Sequence, residues 1–438
     1  MTLSDARGLP VTGADDGDIA AVDRYTARLL RIAPGAEAIL EDAPRFPGSP
    51  MVQMAAAGFC LFGQARPADT AARAFLQAAE PLLPSATERE RRHHDVLSRW
   101  LRHDHLGALE AAEAITRQWP RDMLAVKYAE FFYYVLGQQH EGPRFLAHMQ
   151  RLADANAGDA DFLAIHAFAH ELCGDVPQAR STVDRALAIE QHNPWAHHCV
   201  AHIHLRQGDT ADAVRVLESY LPLWLQSGRF AQCHNAWHLA LAHLETLNRE
   251  RAIELFRAHV WGITPDFVFE QVDAIALLWR LEMAGAMVDA LWEDVAAHAE
   301  AHLGEHYMPF LDAHFVYALA RTGRDDQVMA WLRQVDERTT RQDAEGRRSW
   351  ATVGQPLIAA CAALARNEAA ECARLLDPVM PDVTLVGGSD AQVDLFRQAY
   401  CHALARSGRR LDAVAYWESV VADRPKSELD RYRLGLAA

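Results

Sequence analysis

Ala and Leu recur along this chain at spacings of three and four, with Arg, Glu and Asp filling the positions between. That is the period of an amphipathic helix with one buried stripe. Alternation with period two, the mark of a half-buried strand, is rare and short. The helical stretches are separated by brief breaks: QQHEGP, NAGDAD, CGDVP, RQGDT, RTGRDD and RSGRR. Helix, tight turn, helix, repeated, predicts an all-α chain of antiparallel helix pairs.

The breaks carry a period. Gly174 and Gly208 lie 34 residues apart, and so do Ala179 and Ala213. Each alanine is followed four residues later by an apolar residue, Val183 and Leu217. Gly408, Ala413, Trp417 and Pro425 repeat the frame, and Ala108, Ala112 and Pro120 fit it. This is the second half of a tetratricopeptide (TPR) pattern, whose repeat length is 34. Glycine ends helix A in a left-handed cap, a small alanine lets helix B cross closely, and proline ends helix B. Ala213 and Ala252 stand 39 apart, which implies a longer connection around LQSGRF. Few repeats carry the leading Trp-Leu-Gly of helix A, so an irregular helical array is the alternative. The fold expected is a TPR-like α/α superhelical solenoid whose A helices line the concave side. Residues 1–20, acidic and Gly-rich, read as a flexible N-terminus, and 21–438 as a single repeat domain.

Composition narrows the function. Half of the 438 residues are hydrophobic, enough for a core. Lys+Arg 43 against Asp+Glu 59 leaves a formal charge of −16, which repels nucleic acid and anionic membranes. Lys127 and Lys426 are the only lysines; the arginine bias is that of a GC-rich genome and points to a bacterial source. Seven scattered cysteines form no CxxC pair. That favours reduced thiols and a cytoplasmic location over a zinc ribbon or disulfide framework. The first twenty residues lack a signal-peptide pattern, and no apolar run reaches membrane-spanning length.

Chemistry concentrates in WAHHCVAHIHL and CHNAWHLALAHLE. His198 and His202 are four apart, as are His234 and His238, so each pair shares a helix face. Counted from the glycine that ends helix A, these four histidines fall at groove-facing positions. Asn235 and Trp237 join them, and Glu171 falls beside the first pair. His166, His170, His204 and His243 fall at packing positions. Asp312 and His314, in PFLDAHFVYALARTG, lie on another A helix and complete one candidate cluster. Four imidazoles would suit a divalent transition metal, with His198, His202, His234 and His238 as ligands. The same four histidines, with Asp312 and His314, are candidates for general acid–base catalysis near neutral pH. The competing reading is packing, because histidine is common between helices when its nitrogens find partners. His93, His94, His103 and His105 read as a solvated segment. HCVAH lacks the glutamate of a zincin, and no Walker A, GxGxxG or GxSxG motif occurs. The turn in LVGGSDAQ reads as the start of a helix capped by Ser389. Cys199 and Cys233 stand beside the histidines, but helical phase turns Cys199 about 100° from His198, against a Cys–His nucleophile.

WAHHCVAHIHLRQGD, CHNAWHLALAHLE, DAIALLWRLEMAG and GGSDAQVDLFRQA resemble the signature segments of the tetratricopeptide repeat protein 38 family. FPGSPMVQMAAAGFCLFG and WPRDMLAVKYAEFFYYVLG match in order, so the resemblance covers nearly the whole chain. It implies a solenoid curled around a central cavity. It also marks Trp195, His198, His202, His234, Asn235, Trp237, His238, Asp273, Asp312, His314, Gly387, Gly388, Ser389, Gln392 and Asp394 as matching positions. Of these Trp195, Asn235, Trp237, Asp273, Gln392 and Asp394, with Glu171, are the expected ligand contacts. Leu205 stands where the family pattern has a glutamate, which puts a shared ligand or activity in doubt.

Two functions follow as expectations. One is a protein, or enzyme, that binds a small molecule in a histidine-rich pocket on the concave face. The other is a protein–protein interaction scaffold that takes a peptide in that groove. A carboxylate-clamping peptide groove would show Lys and Arg, which are scarce at the inferred groove positions.

Overall fold

Helix–turn–helix pairs follow the breaks seen in the sequence. In the computed structural model, which describes residues 2–13, 16–340 and 348–437, Ala160–Leu172 is followed by Val176–Ile189. Pro194–Gln207 precedes Thr210–Trp224, Pro309–Arg321 precedes Asp325–Thr339, and Asp390–Arg406 precedes Arg410–Val420. Gly174, Gly208, Gly323 and Gly408 close the first helix of each pair at φ of 77°, 65°, 74° and 85°. The next residue then donates its N–H five residues back: Asp175 to His170, Asp209 to His204, Arg324 to Leu319, Arg409 to Leu404. This is the Schellman closure, and the positive φ is why glycine recurs there. The small positions behave as the pattern requires. Ala179, Ala213, Ala252 and Ala413 are fully buried, as are Val183, Leu217 and Trp417 four residues on from three of them.

The 39-residue interval also has a local cause. Thr210–Trp224 and Arg229–Glu245 are both long helices, and the turn after the second places Leu247, not glycine, at φ 54°. Asn248 then caps Arg249–Leu255 by accepting from Arg251 N at 3.2 Å.

Residues 2–12, read from sequence as a flexible tail, form a hairpin. Thr2–Ser4 pairs antiparallel with Pro10–Thr12, with Leu3 opposite Val11. Asp5 holds the turn by accepting from Arg7 N and Leu9 N at 3.0 and 2.9 Å. Arg89 donates to Asp5 at 2.9 Å and to the buried Asp122 at 2.6 Å, which anchors the hairpin on the Glu88–Leu101 helix. His93, on that helix, is buried against Asp122 at 2.9 Å, so the expectation of a solvated histidine fails there. The helix is amphipathic, and His93 falls on its inward stripe.

The contacts divide the chain into two compact units. One comprises Met1–Leu136, Glu141–Cys199 and Gln226–Ala231; the other comprises Gly137–His140, Val200–Leu225 and Gln232–Ala438. The first has Trp100, Tyr128, Phe132 and Phe145 in its interior, the second Trp237, Trp279, Trp292 and Trp331. Among the described residues no helix is long and apolar enough to cross a membrane.

Candidate functional site

The nominated residues fall in both units. Glu171, Trp195 and His198 belong to the first; His202, His234, Asn235, Trp237, His238, Asp273, Asp312, His314, Gln392 and Asp394 belong to the second.

In the first unit, Asn193 starts the Pro194–Gln207 helix by accepting from Trp195 N and Ala196 N, both at 3.0 Å. The Trp195 indole lies flat on His198, 4.6 Å between ring centres, and Phe168 meets the same imidazole edge-on at 5.0 Å. Trp195 Nε1 donates to Glu130 Oε1 at 2.7 Å. The other oxygen of Glu130 takes Lys127 Nζ at 2.7 Å, and that ammonium sits 4.1 Å above the Trp195 ring. Lys127 and Glu130 were not foreseen from the sequence. The signal was available: a lysine and a glutamate three apart inside the apolar run MLAVKYAEFFYYVLG, in a chain with two lysines. Glu171 is fully buried near the end of its helix.

In the second unit three imidazoles meet. His202 and His238 have ring centres 4.7 Å apart, and His234 and His238 4.9 Å apart. Trp237 stacks on His234 at 5.4 Å, nearly parallel. Two carboxylates orient the rings. His234 Nδ1 donates to Asp273 Oδ2 at 2.9 Å, and His202 Nδ1 pairs with Asp390 Oδ1 at 2.9 Å. Asp390 also accepts from Arg206 Nη2 at 2.7 Å. Burial alone would raise the Asp390 carboxyl; the charges of His202 and Arg206 outweigh it and hold the group below the usual carboxylate range. A carboxylate on Nδ1 fixes the ring's orientation and favours the tautomer with its lone pair on Nε2, the arrangement of a general base or a metal ligand.

Cys233, next in sequence to His234, does not join this chemistry as a thiolate. Burial, then the neighbouring Asp273 and Glu270, push its thiol well above the usual range. The thiol lies 3.7 Å from Asp273 Oδ2.

The remaining nominated residues have local partners. Asp312 accepts from His306 Nδ1 at 2.6 Å and from Trp331 Nε1 at 2.9 Å. His314 donates Nδ1–H to the Phe310 carbonyl at 2.7 Å and packs between Phe310 and Phe396. Burial lowers its pKa to about 3; the Phe310 bond opposes that and the charge of Arg280 adds to it. Gln392 closes a capping box with Ser389, its Oε1 accepting from Ser389 N at 3.1 Å, so the Gly-rich turn starts a helix as expected. Asp394 accepts from Gln398 Nε2 at 2.6 Å, and Asn235 is buried. His306, Trp331, Asp390, Arg206 and Arg280 escaped the sequence reading; Asp390, Arg206 and Arg280 meet partners more than a hundred residues away, at no spacing a helix would reveal.

A cleft of about 490 Å³ lies in the first unit, among Arg7, Arg31, Arg121, Asp159, Asp161 and Glu190. None of the nominated residues lines it. Two of its arginines are met by acids: Arg7 pairs with Asp159 at 2.5 Å, and Arg31 reaches Asp161 and Glu190 at 3.6 Å. No family model matches the chain.

Proposed function

We propose that this protein binds a small molecule through the His202, His234 and His238 cluster of its second unit, and that the oriented imidazoles can move a proton on that ligand. The observation that carries the reading is the burial of three imidazoles with two carboxylates at 2.9 Å contacts. Fold stability alone does not call for such a set. Buried ion pairs rarely outperform apolar residues of the same volume, and each incompletely matched polar group costs about 1–3 kcal/mol. Carboxylate-backed histidines gathered on separate helices are instead the usual furniture of a binding or catalytic site.

The architecture we infer is TPR-like, in line with the resemblance to the tetratricopeptide repeat protein 38 family. The left-handed glycine caps at Gly174 and Gly208, 34 residues apart, support it.

The test is metal analysis of the purified full-length chain together with a thermal-shift ligand screen on wild type, His202→Ala and His238→Ala. A ligand or a stoichiometric divalent metal that stabilises wild type and is lost in both variants is the expected result. No metal, and hits that both variants retain, would sink the reading. A stoichiometric protein partner bound equally by all three proteins would favour a scaffold instead.

A further inference from the structure

Each unit sets a cation over the indole that stacks on a nominated histidine, and the two cations differ in their surroundings. Lys127 in the first unit has Glu130 at 2.7 Å. Arg280 in the second unit sits 5.3 Å from the centre of the Trp237 ring and is 2% exposed. Its guanidinium donates from Nη1 to Ala276 O at 3.3 Å and from Nη2 to Ala391 O at 2.7 Å, both neutral carbonyls. Among the described residues no carboxylate oxygen lies within 4.0 Å of it. Those two bonds use two of the five N–H donors of a guanidinium.

Three acids of the neighbourhood are committed elsewhere, while a fourth, Glu245, keeps its buried Oε2 without a hydrogen-bond partner and forms no ion pair with Arg280. Asp390 is held by His202 and Arg206, Asp273 by His234, Asp394 by Gln398. Asp394, Glu245 and Asp273 act on Arg280 from beyond pairing distance, and Arg433 opposes them. Ala391 belongs to the first turn of the Asp390–Arg406 helix, whose dipole adds positive potential at that end.

Two further buried atoms lack a hydrogen-bond partner: Trp237 Nε1, on the ring that Arg280 covers, and His314 Nε2. Trp195 Nε1, the counterpart of Trp237 Nε1, is satisfied by Glu130. The first is a donor. The second is an acceptor, since His314 Nδ1 holds the ring proton, and Arg280 is close enough to act on it electrostatically. A buried cation with unused donors, an orphaned indole N–H and a nearby acceptor form a receptor for an oxyanion that carries a proton donor.

We propose that Arg280 is the anion-recognition residue of the second unit, and that the small molecule bound there bears a carboxylate or a phosphate. This rests on the pocket reading above for its location and adds the ligand's class.

The experiment uses the full-length chain at fixed ionic strength, with chloride replaced stepwise by inorganic phosphate or by acetate. Tm and calorimetric titration are read for wild type, Arg280→Met, Arg280→Lys and His238→Ala. The expected result is a saturable rise in wild-type Tm with one of the two anions; the more effective one names the oxyanion. Arg280→Met should melt at or above wild type without anion and show no response. Arg280→Lys should weaken affinity about 10- to 100-fold, since lysine loses the planar fork of charge-assisted bonds.

A wild type that responds to neither anion overturns the proposal, as does an Arg280→Met chain that responds like wild type. If Arg280→Met does not fold, the lysine variant decides: affinity within twofold of wild type overturns the proposal. His238→Ala separates the two readings. Retained anion binding there, with no histidine-dependent ligand found, leaves the anion site standing without the histidine pocket. A histidine-dependent ligand found while neither anion binds removes the anion site and leaves the pocket.

Discussion

In the first unit a lysine lies over an indole whose N–H and whose cation share one carboxylate. In the second an arginine lies over an indole, and among the described residues no carboxylate pairs with either. The two groups are built alike: Trp195 stacks on His198 three residues on, and His234 stacks on Trp237 three residues on. The Glu130 carboxylate is the difference. It takes Lys127 on one oxygen and the Trp195 indole on the other, which closes the first group on itself. The second group lacks an equivalent, and its donors stay available. A buried polar set that satisfies itself is architecture, whereas one that is short of a single charge is built for something that brings that charge.

Removing the carboxylate from the first group gives the largest expected effect. Glu130→Gln strands a buried ammonium and should cost about 3–5 kcal/mol in urea unfolding, while Arg280→Met should cost nothing or stabilise. Equal losses at both places would end the contrast. Next come the indole donors. Trp195→Phe breaks a bond to Glu130, but Trp237→Phe breaks none, so the first should cost about 1–3 kcal/mol more than the second in the same assay.

Near neutral pH the smallest effect is that of two buried histidines, and it grows only on acidification. His148 of the first unit and His314 of the second are both kept neutral by burial, with pKa lowered to about 4 and about 3. Unfolded, each titrates near 6.5, so the unfolded chain binds more protons below that pH and stability falls on acidification. The loss runs from about pH 6.5 down to about 4 for His148 and about 3 for His314, with at most about 1.4 kcal/mol per pH unit for each. His148→Gln and His314→Gln should each flatten the acid limb of the unfolding curve by one proton. Arg280→Met should also soften the His314 contribution, because the guanidinium's charge helps keep that ring unprotonated. An unchanged limb in Arg280→Met would show that the two groups do not act on one another.

Helix content, the turn glycines and the small buried alanines were all legible in the chain, because they follow from bonds between residues a few positions apart. The four-residue spacing of His198 and His202, and of His234 and His238, was legible for the same reason. Asp390 stood inside GGSDAQ, yet that stretch announced a helix start, and only its pairing with His202 and Arg206 made it part of a site.

By itself, then, the amino-acid order determined an all-α chain of glycine-capped helix pairs and singled out the histidine-bearing helices. Tertiary structure alone decided which charges meet: Lys127 with Glu130 under Trp195, Asp390 with His202 across nearly two hundred residues, and Arg280 with carbonyls instead of an acid. Local hydrogen bonding is written in spacing, but charge compensation in an interior depends on which distant segments pack side by side, and no period in the sequence records that.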